Sequence, residues 1–193
     1  MNFLAHLYLS GENEELLIGN FIADFIRNRD LVLFPRSIVD GIRLHRHIDH
    51  YTDTHPVVVE STRKLRINHG KYAPVVIDVF YDYVLSRYWD RYSQVSLRNF
   101  ADDTYEVLNN NLAILPIHLQ DMTLRMIADD FLLKYGTKVG MERTFRRIGK
   151  RAKFASNFSN AFEDLSQDYE SIAEGFNLFF PEMIQEVANY ESA

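Results

Sequence analysis

Apolar residues recur along this chain at mixed spacings of three and four, the period of α-helices packed on one side. Between Glu14 and Arg27 the pattern is set by Leu16, Leu17, Ile22, Phe25 and Ile26, with acidic residues leading and arginines trailing, as the helix dipole favours. Pro35 restarts the chain, and Ser37 to about Tyr51 holds Ile38, Ile42, His45 and Asp49 in register. Thr52 to Pro56 reads as a turn, because the residue before a proline avoids the α region, and Pro56 then opens a helix to about Asn68. Gly70 and Pro74 bracket a further break. From Pro74 to about Arg91, Val76, Val79, Phe80, Tyr83 and Val84 alternate with Asp78 and Asp82. Later helices are predicted over Leu97 to Ile114, His118 to Leu133 and Val139 to Arg151, and from about Ser156 onward with a break or bend near Pro181. Strand patterns are scarce, Leu31 to Phe34 being the one extended candidate, and neither a repeat nor a Gly/Ser linker interrupts the chain. The expectation is an all-α helical bundle forming a single domain over residues 1–193.

Composition narrows the chemistry. A chain of 193 residues can bury about 70% of the surface its unfolded form exposes. The absence of cysteine excludes disulfides, thiolate zinc, iron–sulfur clusters and a thiol nucleophile, so any metal must sit on His, Asp, Glu, Asn or water. A net charge of −6, from 27 acidic and 21 basic residues, argues against generic binding to nucleic acid or anionic membrane. No apolar run of about 18 or more residues occurs, and MNFLAHLYLSGENEE has no basic leader, so the expected setting is soluble and cytoplasmic.

Polar groups are spaced by four inside these apolar helices. Asn2 pairs with His6, Asn20 with Asp24, His45 with Asp49 and then Asp53, and Asp78 with Asp82. Residues four apart share a helix face, and several such faces turned inward would gather hard N and O ligands, as helical bundles do around a metal. LHRHIDHYTDTHP holds four of the seven histidines, at 45, 47, 50 and 55. His47 and His50 point away from His45, while Asp53 and His55 are expected on the following turn. A lone histidine on an apolar face is usually a satisfied core residue. Burying Asp24, Asp49, Asp78 and Asp82 near it without a cation would cost several kcal/mol each.

Four segments, MNFLAHLYLS, LLIGNFIADF, GIRLHRHIDHYTDTHP and IDVFYDYVLSRYW, resemble in order and spacing the acyl carrier protein phosphodiesterase family, also called ACP hydrolase. The resemblance implies an all-α fold distantly related to HD-domain metal phosphohydrolases, although this chain has no literal His-Asp dipeptide. It also implies removal of 4′-phosphopantetheine from holo acyl carrier protein, with Mn²⁺, or Mg²⁺ as the alternative. The fitting mechanism is attack on phosphorus by a metal-held water, with the carrier serine oxygen leaving. Helical geometry and the family motifs together select Asp24, His45, Asp49 and Asp78 as metal ligands. Asp53, His55 and Asp82, with His6, are expected as further ligands, as groups orienting an imidazole, or as the base for water. Arg43 and Arg46 are candidates to clamp phosphate, with solvated surface as the plain alternative. His69 is a candidate proton donor to the leaving serine.

RTFRRIGKRAK, from Arg143 to Lys153, has six basic residues in eleven and no acid. Arg143, Arg146, Arg147, Lys150 and Arg151 form a cationic stripe on an amphipathic helix, a dock for the acidic carrier. The plain alternative pairs the stripe with Glu163, Asp164 and Asp168. GFNLFFPEM is expected to pack the bundle end rather than line a groove. Two other functions fit less: a metal phosphohydrolase for a nucleotide or small phosphoester leaves the basic stripe idle, and a helical binding module explains neither feature.

Overall fold

The computed structural model describes residues 1–153 and 157–190, which form α-helices and short 3-10 segments with no strand among them. In chain order the helices are α1 (Phe3–Tyr8), α2 (Glu14–Ile22), α3 (Arg36–Thr54), α4 (Pro56–His69), α5 (Ala73–Arg87) and α6 (Leu97–Asn110). There follow α7 (Ile117–Ala128), α8 (Phe131–Lys134), α9 (Lys138–Gly149), α10 (Ala161–Gln167) and α11 (Tyr169–Ala188). No helix among the described residues is long and apolar enough to cross a membrane.

Helix α5 is the centre, packed by α1, α4, α9 and α11. Its residues explain why: Val76, Ile77, Val79, Phe80, Tyr81, Val84 and Leu85 are buried, so most of the helix circumference must be covered. Phe176, Phe179 and Phe180 of α11 close one side against Tyr81, Tyr92 and Tyr8. All three are fully buried, each contributing ~1.5–3 kcal/mol of apolar burial, so GFNLFFPEM packs the core as expected.

Several predicted boundaries shift for physical reasons. Helix α2 ends at Ile22, and Asp24 rides a following 3-10 turn, Ala23–Phe25. Helix α3 continues to Thr54, so Asp53 is helical after all; only His55, immediately before Pro56, is forced to extended backbone. The candidate strand at Leu31 to Phe34 lies instead in a 3-10 segment ending at Leu33. The predicted helix from His118 to Leu133 breaks at Asp129 and at Asp130, which has φ +51°. The last predicted helix begins at Ser156, outside the described residues, and its break falls at Asp168 while α11 runs through Pro181.

Two glycines fix the approach of α2 to α3. A methyl at Gly41 would overlap the Leu16 carbonyl oxygen and stand 2.9 Å from the Gly19 Cα, and one at Gly19 would stand 2.8 Å from the Gly41 Cα. Only hydrogen fits between these backbones. The contact sets Asn20, next to Gly19, against His45, one turn beyond Gly41.

Candidate metal centre and groove

His45 is the hub. Its Nδ1 lies 2.9 Å from both the backbone oxygen and the side-chain oxygen of Asn20. The Asn20 amide is itself oriented, its Nδ2 donating to the His6 carbonyl at 2.8 Å and to Ser10 Oγ at 3.0 Å. Two acceptors at Nδ1 place the proton there and turn Nε2 toward the carboxylates. Nε2 stands 3.2 Å from Asp24 Oδ1 and 3.2 Å from Asp49 Oδ2.

His6, from α1, stacks on this ring with centroids 3.9 Å apart and places its Nε2 3.1 Å from Asp49 Oδ1. Its Nδ1 is buried without a partner. Two imidazoles and one carboxylate thus converge, and His6, His45 and Asp49 each offer a ligand atom within 4.8 Å of the others.

Charge balance fits a cation here. Burial works against an imidazolium at His45, yet the hydrogen bonds it donates to Asp24 and Asp49 outweigh it and raise its pKa to about 9. Burial, with the neighbouring His45 charge, lowers the His6 pKa to about 4, leaving a neutral ring suited to ligation. Asp49 is held far below the usual carboxylate range: burial opposes this, and the two imidazoles overcome it. The His45 imidazolium balances these carboxylates, and with its Nε2 proton released the donor set of two imidazole nitrogens and hard oxygens can hold a divalent ion in its place.

Other residues singled out in the sequence are dispersed. Asp78 lines the same groove, but its Oδ1 accepts from the Met1 ammonium at 3.0 Å; Asp49 lies 3.7 Å from that ammonium. Burial opposes the Met1 charge, but Asp78 and Asp49 raise its pKa to about 10. Asp82 is fully buried and accepts from the backbone N–H groups of Leu4 at 2.8 Å and Ala5 at 3.2 Å, satisfying the open start of α1. Burial pushes its pKa up to about 7 despite those bonds. Asp53 is exposed and lines the groove. His55 faces α11, 3.1 Å from Glu182 and against the Phe179 ring. Arg43 pairs with Asp40 at 3.5 Å and Arg46 reaches the Ile26 carbonyl at 3.4 Å; neither lines the groove. His69 is buried 3.0 Å from Asp164, also away from it.

The groove encloses about 1230 Å³. Asp24, His45, Asp49, Asp53 and Asp78 form one wall, and a second brings cations from α7 through Lys153, including Arg125, Lys134, Arg143, Arg147 and Arg151. Of the predicted basic stripe, Arg143, Arg147 and Arg151 line the groove while Arg146 and Lys150 are exposed outside its lining. Arg143 and Arg147 pair with Asp129, at 3.1 and 3.2 Å, rather than with the acids of α10. Periodicity could not single out Asp129, since its partners come from α8 and α9, nor the Met1 ammonium, which belongs to no side-chain pattern.

Comparison with known proteins gives a consistent result. The family model described as acyl carrier protein phosphodiesterase matches residues 1–183. A protein of that name from Photorhabdus laumondii is 30% identical over 190 residues, 98% of this chain and 96% of its own. Another from Pectobacterium atrosepticum is 31% identical over 186 residues, 96% of each chain, and one from Escherichia coli is 30% identical over 190 residues, 98% of each. No solved structure matches the chain.

Proposed function

The chain belongs to the acyl carrier protein phosphodiesterase family, and on that premise we propose that it cleaves 4′-phosphopantetheine from the serine of holo acyl carrier protein at a divalent cation held by His6, His45 and Asp49. The observation that supports this most is the shared groove, where the imidazole–carboxylate cluster and the cationic wall face one space. One substrate can then present a phosphodiester to the cluster and acidic protein surface to the cations. A small phosphoester would leave the cationic wall unused.

When bound, the cation, Mn²⁺ before Mg²⁺ given two imidazoles in the donor set, withdraws charge from the phosphoryl oxygens and acidifies water beside it. Asn20 holds the His45 ring so that Nε2 points toward Asp49 and Asp24, the side from which it would hold the ion. Asp53, exposed on the groove wall one turn beyond Asp49, is the proposed base for the attacking water. The water oxygen bonds to phosphorus, the phosphorus–serine oxygen bond breaks, and the serine oxygen gains a proton, so the reaction consumes only water. Asp78 and Asp82 act by position: Asp78 anchors the first residue at the groove, and Asp82 caps the helix that presents His6. Arg43 and Arg46 lie outside the groove lining, so this reading gives them no part in holding the phosphate.

The test is mass spectrometry of holo acyl carrier protein incubated with the protein and Mn²⁺, with and without EDTA. Loss of the phosphopantetheine mass, abolished by EDTA, is the expected result. An unchanged carrier with metal demonstrably bound would refute the substrate and leave a small phosphoester in its place. Charge reversal at Arg143 and Arg147 should raise KM at low salt, and no change would remove docking from the reading.

A further inference from the structure

One groove carboxylate is unused by this chemistry. Asp129 follows the last residue of α7, where the helix dipole disfavours negative charge. It faces three cations: Lys134 Nζ and Arg143 Nη1, the latter at 3.1 Å, bond Oδ1, and Arg147 Nη2 lies 3.2 Å from Oδ2. The Lys134 hydrogen bond, then the arginines, hold its carboxyl below the usual range.

The turn that delivers Asp129 is itself costly. Asp130, with φ +51°, is the one described non-glycine residue in the left-handed region. Arg98 grips its carboxylate at 2.8 and 3.1 Å, and the Tyr105 hydroxyl donates to it at 2.9 Å while accepting from the Leu132 N–H. The chain thus uses a locked, strained turn to set an acid at an unfavourable helix end, against cations on the groove wall. Lys134, Arg143 and Arg147 would be a simple cationic seat without it.

On the reading above, substrate and protein product are the same acidic carrier with and without its arm. Docking contacts bind both equally, so they lower KM without aiding the chemical step, and a dock that is too tight retains product. We propose that Asp129 is an internal surrogate for a carrier carboxylate: it occupies the seat of Lys134, Arg143 and Arg147 until a carboxylate of the acidic partner displaces it, and so keeps docking weak enough for the apo carrier to leave. Lys134 thereby joins the docking residues, although it lies outside the basic stripe of α9.

The inference rests on the carrier reading, and the experiment separates the two. KM for holo carrier and the inhibition constant for apo carrier are measured for the wild type, Asp129→Asn and Arg147→Gln, at about 20 mM and about 300 mM salt. Asp129→Asn is expected to lower both constants about fivefold at low salt, with the difference closing at high salt, and Arg147→Gln to raise both. Equal or higher constants in Asp129→Asn, at a wild-type melting temperature, would overturn the proposal and make Asp129 an organiser of the cations. Should that variant melt early, Asp129→Ser takes its place, and unchanged apo-carrier binding there overturns it equally. A wild type that neither binds nor cleaves carrier fails the carrier reading and this inference together; one that cleaves it while Asp129→Asn behaves identically fails the inference alone.

Discussion

Gly41→Ala tests the geometry on which the cluster depends, because two physical effects predict opposite signs. In an ordinary helix interior, alanine is more stable than glycine by ~0.5–1 kcal/mol. Here the new methyl would overlap the Leu16 carbonyl oxygen and stand 2.9 Å from the Gly19 Cα, with no flexible side chain able to yield. Restoring ordinary carbon–carbon distance requires α2 and α3 to separate by about 1 Å. Overpacking of this kind costs ~1–3 kcal/mol, and contact with backbone puts this case at the upper end, so the net expectation is destabilisation by about 2 kcal/mol. The same movement would stretch the two 2.9 Å contacts between His45 Nδ1 and Asn20 beyond hydrogen-bonding range. Loss of a group that orients a metal ligand typically costs ~10–100-fold in affinity or activity. Urea unfolding and turnover at saturating Mn²⁺ read the two effects, with Gly149→Ala as control because its methyl meets only ordinary contact, 3.5 Å from Phe158. A Gly41→Ala protein at least as stable as wild type and fully active would refute the close-approach argument.

Three further outcomes follow from the site. His45→Ala should abolish the Mn²⁺-induced rise in melting temperature, which for the wild type at a hundred times Kd corresponds to ~2.7 kcal/mol, or roughly 5–10 °C; an unchanged rise would remove His45 from the ligand set. Asn20→Ala should keep the helices in place but weaken Mn²⁺ binding ~10–100-fold, read by titration, and wild-type affinity would show that the ring needs no anchor. Asp82 has a folded pKa of about 7, raised by burial above its ordinary value, so its contribution to stability is full below about pH 4 and declines as pH rises through about pH 7. The change is on the order of 4 kcal/mol at ~1.4 kcal/mol per unit, and Asp82→Asn should flatten it; a pH–stability profile identical in the two proteins would contradict the assignment.

The helical class was legible because apolar spacing repeats through the whole chain, and His45 with Asp49 was legible because i, i+4 places both on one face of α3. The identical spacing of Asp78 and Asp82 led to different outcomes. Helix α5 is covered over most of its circumference, so its neighbours decide what each carboxylate meets: the Met1 ammonium for one, the start of α1 for the other. No periodicity reports such long-range partners. His6 likewise reaches His45 only because α1 packs on α2 and α5. The helix limits erred where one residue decides the backbone, as at His55, whose restriction before Pro56 leaves Asp53 helical, and at Asp130, whose left-handed turn carries no glycine.

The buried ammonium of Met1 bears on how the molecule is prepared. Joining any residue ahead of Met1, or acylating its nitrogen, replaces a charged donor by a neutral amide and pushes new chain into the space beside Asp78. The carboxylates of Asp78 and Asp49 would then lose the unit of countercharge that the ammonium contributes. Protein purified with a leading affinity tag is electrostatically a different object from one that starts at Met1, and metal affinities measured on the two are not interchangeable.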